Sequence, residues 1–315
     1  MSGGPSDASA RGALSAADIA AIFAVDVRPD VFAKGVGAPA GATPVCVLIG
    51  GQPGAGKTRI VAQTHAALPG AVQVVGDDLR PFHPDYTDLL RDDPLRMPDM
   101  TAGASGAWVE LCIEYAIDQR VPLVVETTLR SAETLQRTAG KLRAGGFSVE
   151  LKVVAVPPPV SLLGTASRYV RQLEDKGWGR WTPFAAHQAA VAGSAATLAT
   201  ACLGSAVDGV TVVNREGAVL YRGMEHDEVT AAVTRGRSCS SITPSGAVAW
   251  VEQLAACAGV LLGDGGHDDA LRVLVELARA APEVERQLLS TGGGKLTGLL
   301  HSTCRRIGRH RLPDT

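Results

Sequence analysis

The chain has 315 residues, 46% hydrophobic and 20% charged, with a formal net charge of −2 at pH 7. That length allows a main domain plus an appendage around a large core, and the composition belongs to a globular protein rather than a disordered or fibrous one. The near-neutral balance gives no global attraction to nucleic acid or to an anionic membrane surface, and no apolar run reaches the roughly 18 residues of a membrane span, so neither partner is expected.

Six cysteines (46, 112, 202, 239, 257 and 304) stand far apart with no CxxC pair. They are expected to be reduced core thiols of a cytoplasmic protein. The N-terminus lacks a basic-then-apolar leader pattern, and residues 1–14 are expected to be disordered. A helix is predicted from Ser15, as N-cap, to about Phe23. "TPVCVLIGG" is an apolar run typical of a strand buried on both faces. After a Gly-rich turn, a helix is predicted from Lys57 to before Pro69. "AVQVVGDD" follows as a second strand, "GAWVELCIEYAIDQ" has helical spacing, and "VPLVVETT" is a third strand. A helix over 132–143 ends at Gly145–Gly146, and "FSVELKVVAVP" is a fourth strand. Helices are predicted from about Ser161 and from Pro183, then a fifth strand "GVTVVN" with an edge hairpin at "GAVLYRG". Beyond 238 only helical patterns occur, over 245–262, 268–281 and 292–310. Alternating strands and helices predict an α/β fold with a mostly parallel sheet flanked by helices, residues 15–237, and an all-helical C-terminal extension, residues 238–315.

The turn after the first strand is "GQPGAGKT", residues 51–58. Gly51, Gly56, Lys57 and Thr58 satisfy GxxxxGK[ST], the phosphate-binding P-loop. Its backbone N–H groups, including those of Gln52, Pro53's neighbour Gly54, and Ala55, can face an anion; Lys57 can reach the outer phosphates and the Thr58 hydroxyl can hold Mg²⁺. The strand before and the helix after supply the context that the motif requires, and the fold is therefore expected to be P-loop NTPase-like. Asp77 and Asp78 close the second strand and Glu126 the third. In an open parallel sheet those ends share one crevice with the P-loop, where an acid can hold Mg²⁺ or take a proton from an acceptor hydroxyl. The stretch "RYVRQLEDKGWGRW" carries Arg168, Arg171, Lys176 and Arg180. Such cations can neutralise charge on a transferring phosphoryl group, or form an ordinary charged helix face.

Taken in order, "GGQPGAGKT", "GDDLRPFHPDY", "VVETTLR", "VVAVPPPVSLLGTASRY", "GRWTPFAAHQ" and "VVNREGAVLY" resemble the zeta toxin family over about residues 40–222. The resemblance implies a kinase of toxin–antitoxin systems that uses ATP or GTP with Mg²⁺ and has an antitoxin as a possible protein partner. By motif, Lys57 and Thr58 would bind phosphates and Mg²⁺, Asp77 would be the general base, and Arg168 and Arg180 would stabilise the transferring group. Arg80, Glu110, Glu126, Thr128 and Arg130 would lie on the acceptor side. The family's acceptor is UDP-N-acetylglucosamine, phosphorylated on the sugar's 3′-hydroxyl. Two departures stand out. "VETTLR" has Thr and Leu where the family often has glycines, which would reshape the acceptor wall, and nothing after 238 matches. Two alternatives therefore stay open: a P-loop kinase for another small molecule, such as an antibiotic or another nucleotide, and a nucleotide-binding switch or ATPase module. Trp178 or Trp181 could stack on a base or sugar, or pack beneath this arginine-bearing segment, and packing is the expectation. His83 is expected to fix a turn, and the basic end "CRRIGRHR" to be a solvated helix end.

Overall fold

The structure, a computed structural model, describes residues 13–127, 129–203, 206–263, 266–289 and 294–310. The expected disorder of the first dozen residues lies outside that range. α1 (Ala16–Ile22) starts at a capping box: the Asp18 amide donates to Ser15 Oγ and the Ser15 amide to the Asp18 carboxylate. Two orphan donors are thereby satisfied, which fixes the helix start. The helix does not stop at Phe23. It passes through a π turn, Phe23–Val27, into α2 (Arg28–Val31). Trp108 donates its indole N–H to the Ile19 carbonyl and pins this segment to the body.

β1 (Val45–Gly50) leads through the Gly-rich turn into α3 (Lys57–Ala66). β2 (Val72–Val74) is followed by α4 (Gly76–Leu79), so Asp77 and Asp78 do not close the strand but occupy a helical first turn, where carboxylates suit the positive end of the peptide dipoles. The short helices α5 (Tyr86–Asp92) and α6 (Met97–Met100) lead to α7 (Ala102–Gln119) and β3 (Leu123–Thr127). α8 (Ala132–Ala144), β4 (Ser148–Val154), α9 (Pro158–Lys176) and α10 (Phe184–Leu203) follow. α9 begins three residues before the expected Ser161 because proline is tolerated in a first turn, whose N–H groups have no partner anyway.

The described strands form one sheet in the order β2-β3-β1-β4-β5-β6, with β5 Gly209–Val213 and β6 Val219–Arg222. All neighbours are parallel except β6, which pairs antiparallel to β5 as the expected edge hairpin. β1 lies in the middle. Cys46 and Leu48 point into the core on one face and Val47 and Ile49 into that on the other, which explains its unbroken apolar run.

After the sheet come α11 (His226–Arg237), α12 (Pro244–Leu261), α13 (Asp268–Leu289) and α14 (Gly294–Gly308). α13 runs through Pro282, where the sequence reading ended it. Val284 and Leu288 beyond the proline are fully buried, and burying two such side chains contributes roughly 3–6 kcal/mol, enough to offset the ~3 kcal/mol proline cost. The C-terminal helices do not trail away from the sheet domain. Trp250, Leu254, Leu274 and Leu277 share a second core with Leu163, Ala166 and Tyr169 of α9. The Trp250 indole donates to the Pro159 carbonyl at 3.2 Å. All six cysteines are free thiols. Among the described residues no helix is long and apolar enough to cross a membrane.

Candidate active site

The P-loop turns where only glycine fits. Gly54 has φ +76°, and a Cβ there would lie 2.0 Å from the Ser161 carbonyl oxygen. Gly164 answers it from α9, where a Cβ would stand 2.6 Å from the Gly54 oxygen. Loop and helix thus meet backbone to backbone. Beneath the loop lies a buried polar network. Gln52 donates to the Val156 carbonyl (2.7 Å) and Ser161 Oγ (3.2 Å), and accepts from Arg237 (3.2 Å). Ser161 also bonds His187 Nε2 at 2.9 Å. Burial, then the positive charges of Arg237 and Lys57, pull His187 down to about 4, so its ring is neutral near pH 7.

Lys57 is buried and folded back on its own loop, donating to the Gly51 (2.9 Å) and Gln52 (3.3 Å) carbonyls, with Glu126 at 3.5 Å. Burial lowers its pKa against the opposing pull of Glu126. Thr58 is exposed at the start of α3.

These groups open onto a cleft of about 530 Å³ at the carboxyl ends of the strands. Eight cationic side chains line it (Lys57, Arg59, Arg80, Arg130, Arg168, Arg171, Arg180, Arg215) against three carboxylates (Asp77, Glu126, Glu216). A surplus of that size suits a polyanion such as a polyphosphate. Asp77 is clamped by two arginines, Arg180 in direct contact and Arg80 at 3.0 Å. Arg80 is itself tied to the Pro98 carbonyl and to Thr101 Oγ1. Burial pushes the Asp77 carboxyl up, but Arg180 and Arg80 outweigh it and hold it well below the usual carboxylate range. Arg168 donates to Thr182 Oγ1 at 2.8 Å while its buried Nε has no partner. Burial and the neighbouring Arg180 pull it to about 10. The described residues hold no group of three or more His, Cys, Asp or Glu able to bind a metal ion. A Mg²⁺ would take the Thr58 hydroxyl, nucleotide phosphates and water, a ligand set that this ion accepts.

Of the sequence-predicted residues, Lys57, Thr58, Asp77, Arg80, Glu126, Arg130, Arg168 and Arg180 converge on the cleft. Glu110 does not line it; on α7 it pairs with Lys141 at 3.2 Å, because the helix turns that face toward α8. Thr128 lies outside the described residues. Asp78 is exposed and does not line the cleft. Lys176 sits over the Trp178 ring at 5.2 Å rather than in the cleft. Trp181 is 6% exposed, donates to Asp269 at 2.7 Å and meets Tyr169 and His267 edge-on, so most of it is packed while its remaining surface lines the cleft.

Sequence reasoning missed Arg59, Arg215 and Glu216 in the lining and the pair His187 and Arg237 below the loop. Arg215 and Glu216 sit at the end of β5, and strand-end position was the signal for them. His187 falls within the block "GRWTPFAAHQ" but was given no role there, and Arg237 carries no local signal. Leu129, where a glycine was anticipated, has φ +52°, and its carbonyl accepts from Thr197 Oγ1 at 2.9 Å. Its side chain fills the space beside Gly50, where an added Cβ would lie 2.3 Å from Leu129 Cδ1. A left-handed leucine costs on the order of 1–2 kcal/mol, which this packing and hydrogen bond sustain.

The family model described as zeta toxin matches residues 31–226. Toxin zeta of Enterococcus hirae is 30% identical over 197 residues, covering 62% of this chain and 69% of that protein. Toxin PezT of Streptococcus pneumoniae is 33% identical over 127 residues, 40% of this chain and 50% of that protein. A solved structure from the PezAT chromosomal toxin–antitoxin system of Streptococcus pneumoniae superposes with a TM-score of 0.60 at 21% identity, covering 70% of this chain and 88% of that one, a likeness of fold.

Proposed function

Because the chain belongs to the zeta toxin family of kinase-like toxins, we propose that it transfers the γ-phosphoryl group of ATP or GTP to the sugar hydroxyl of UDP-N-acetylglucosamine or a related nucleotide sugar. The observation that carries this reading is the convergence of Lys57, Asp77, Arg168 and Arg180 on one cation-rich cleft.

The α3 amides and Lys57 hold the phosphates. Thr58 would hold Mg²⁺, which would supply further neutralisation of phosphate charge. The acceptor oxygen attacks the γ-phosphorus, the bond to the bridging β,γ-oxygen breaks, the nucleoside diphosphate leaves and the hydroxyl proton passes to Asp77. A carboxylate clamped by two arginines is a weak base. A bound triphosphate competes for Arg180, and as Arg180 turns to the phosphoryl group Asp77 loses its stronger clamp and rises toward the ordinary range. Positioning and charge stabilisation by Arg168 and Arg180 then operate in a cleft already shaped for them.

The kinase unit is assigned to residues 15–237 and the helical extension to 238–315. By analogy with the PezAT system, an antitoxin is the protein partner, and the compartment is the cytoplasm, where nucleotide sugars and triphosphates occur together. A second acceptor class, a small molecule other than a nucleotide sugar, stays open because Leu129 stands where the family often has a glycine, although its side chain is buried beside Gly50 and does not line the cleft. Incubation with Mg·ATP and a panel of UDP-sugars, followed by mass spectrometry, tests both. Gain of one phosphate on a UDP-sugar is expected. ATP binding with no UDP-sugar modified would refute the nucleotide-sugar acceptor.

A further inference from the structure

A second cavity, of about 420 Å³, adjoins the cleft and is assigned to nothing so far. It lies at the carboxyl ends of β4 and β5, beneath α12. Val156, Val160 and Leu220 line it from the sheet domain, and Ile242 and Trp250 from the C-terminal helices. Asn214 and Gln253 add side-chain amides. Arg215 and Glu216 line both this cavity and the phosphate cleft, and Arg215 bonds the Gly54 carbonyl at 3.3 Å, so the two spaces meet directly beside the P-loop.

We propose that this cavity binds the nucleobase of the phosphoryl donor, so that α12 completes the nucleotide site. The inference rests on the phosphotransfer reading above.

Topology supplies the direction. β1, which carries the P-loop, stands between β3 and β4. Asp77 after β2 and Glu126 on β3 lie on one side of it, and the second cavity lies on the other, at β4 and β5. In-line transfer puts acceptor and leaving group on opposite sides of the γ-phosphorus. With the acceptor beside Asp77, the departing diphosphate and its nucleoside extend toward β5, across Arg215. Chemistry supplies the occupant. The walls are mainly aliphatic and aromatic, with Arg215 and Arg235 as their cationic members; the exposed Gln253 amide can donate and accept, and Asn214, whose Oδ1 takes the Glu216 and Ala218 amides, has its NH₂ left to donate. That combination suits a flat, apolar-faced heterocycle with a polar edge. The volume is within the range of ligand pockets, roughly 300–1,000 Å³.

Three of the lining residues that decide the shape, Ile242, Ala249 and Trp250, fall after residue 226, where the family match ends. This chain's base pocket is therefore built in part by its own extension.

The test compares ATP with inorganic tripolyphosphate, which fills the phosphate cleft but has no base. Calorimetry on the full chain should show ATP binding about tenfold or more tighter than tripolyphosphate. Ala249→Leu, which fills the cavity from a helical position, should remove that advantage while leaving tripolyphosphate affinity unchanged. Gln253→Ala, at an exposed position, should reduce the ATP affinity alone, by about threefold to tenfold, and guards against misfolding of the first variant. The change in tryptophan emission with ATP should exceed that with tripolyphosphate, which reaches only the cleft lined by Trp181, and Trp250→Phe should remove the excess. Equal ATP affinity in wild type and both variants would overturn the base-pocket assignment while leaving the phosphate cleft standing. Binding of neither ligand by wild-type protein would overturn the phosphotransfer reading and this inference with it.

Discussion

Replacing Asp77 by Asn separates two roles that one carboxylate could have in this cleft. As a general base, Asp77 acts on the acceptor, and its loss should lower kcat by about 10²–10⁴-fold. As a negative charge among cations, it opposes a bound triphosphate. At a separation on the order of 8 Å and an effective dielectric near 20, one unit charge repels another by about 2 kcal/mol. Asp77 is 40% exposed, so solvent reduces this to about 1 kcal/mol, or roughly fivefold in affinity. Asp77→Asn also frees Arg180, now in contact with it, to meet the phosphates. ATP should therefore bind up to about fivefold more tightly while turnover collapses, a split that a metal ligand or a donor-binding residue would not produce. Calorimetry with Mg·ATP, beside a turnover assay with the nucleotide sugar found by mass spectrometry, reads both quantities. A tenfold loss of ATP affinity would put Asp77 on the donor side. Turnover within threefold of wild type would remove it as the base, and loss of turnover in Asp78→Asn instead would transfer the role to its neighbour.

Three further outcomes follow from the same geometry. Lys57→Ala should abolish turnover and weaken ATP binding, with Glu126 left partly buried and unpaired; a thermal melt should show a folded protein, and near wild-type turnover would remove the P-loop from the chemistry. Arg168→Ala and Arg180→Ala should lower kcat more than they raise KM for ATP, Arg171→Ala should act mainly on KM, and Lys176→Ala should do little, since Lys176 lies over Trp178; steady-state kinetics giving equal small effects at all four would make this an ordinary charged face. His187, shifted from 6.5 to about 4, binds a proton in the unfolded chain before it does in the folded one, so stability is unaffected above about pH 6.5 and falls as pH drops toward 4, by on the order of 3 kcal/mol over the window; His187→Gln should flatten Tm across that window, and an unchanged slope would exclude the buried neutral ring as its cause.

What the sequence disclosed depended on how far each signal reaches along the chain. β1 and the P-loop are local: a run buried on both faces and fixed glycine spacing name them without help from the rest of the fold. Asp77 was legible from its place at a strand end, but Arg168 and Arg180 stood out from their charged neighbours only as parts of motifs, since no periodicity brings residues a hundred positions apart together; the structure brings all three to one cleft. Glu110 matched its motif too, yet α7 presents it to Lys141, because which face of a helix meets the cleft is decided by packing that a motif does not encode. α11 went unrecognised although its buried Val229, Ala232, Val233 and Gly236 follow helical spacing, since it is short and ends near a Ser-rich turn. Pro282 misled in the opposite direction: as punctuation it ends a helix, but the core on either side of it carried α13 onward.

α9 joins these observations physically. One stretch of it meets the P-loop backbone to backbone through Gly164 and Gly54, and from the next turns Arg168 and Arg171 reach the cleft. Leu163, Ala166, Tyr169 and Val170 of the same helix are buried with α12 and α13. In a lid free on its outer side, the arginines would have to be ordered at each turnover, at a cost of roughly 0.5–1.5 kcal/mol for each long side chain fixed. Here the outer side is already packed, and Trp181, held by Asp269 of α13, fixes the segment that carries Arg180 as well. The C-terminal helices, which the family match does not reach, thus hold the backbone that carries Arg168 and Arg180, so that in the proposed transfer the Arg180 side chain alone has to turn from Asp77 to the phosphoryl group, which limits the reorganisation.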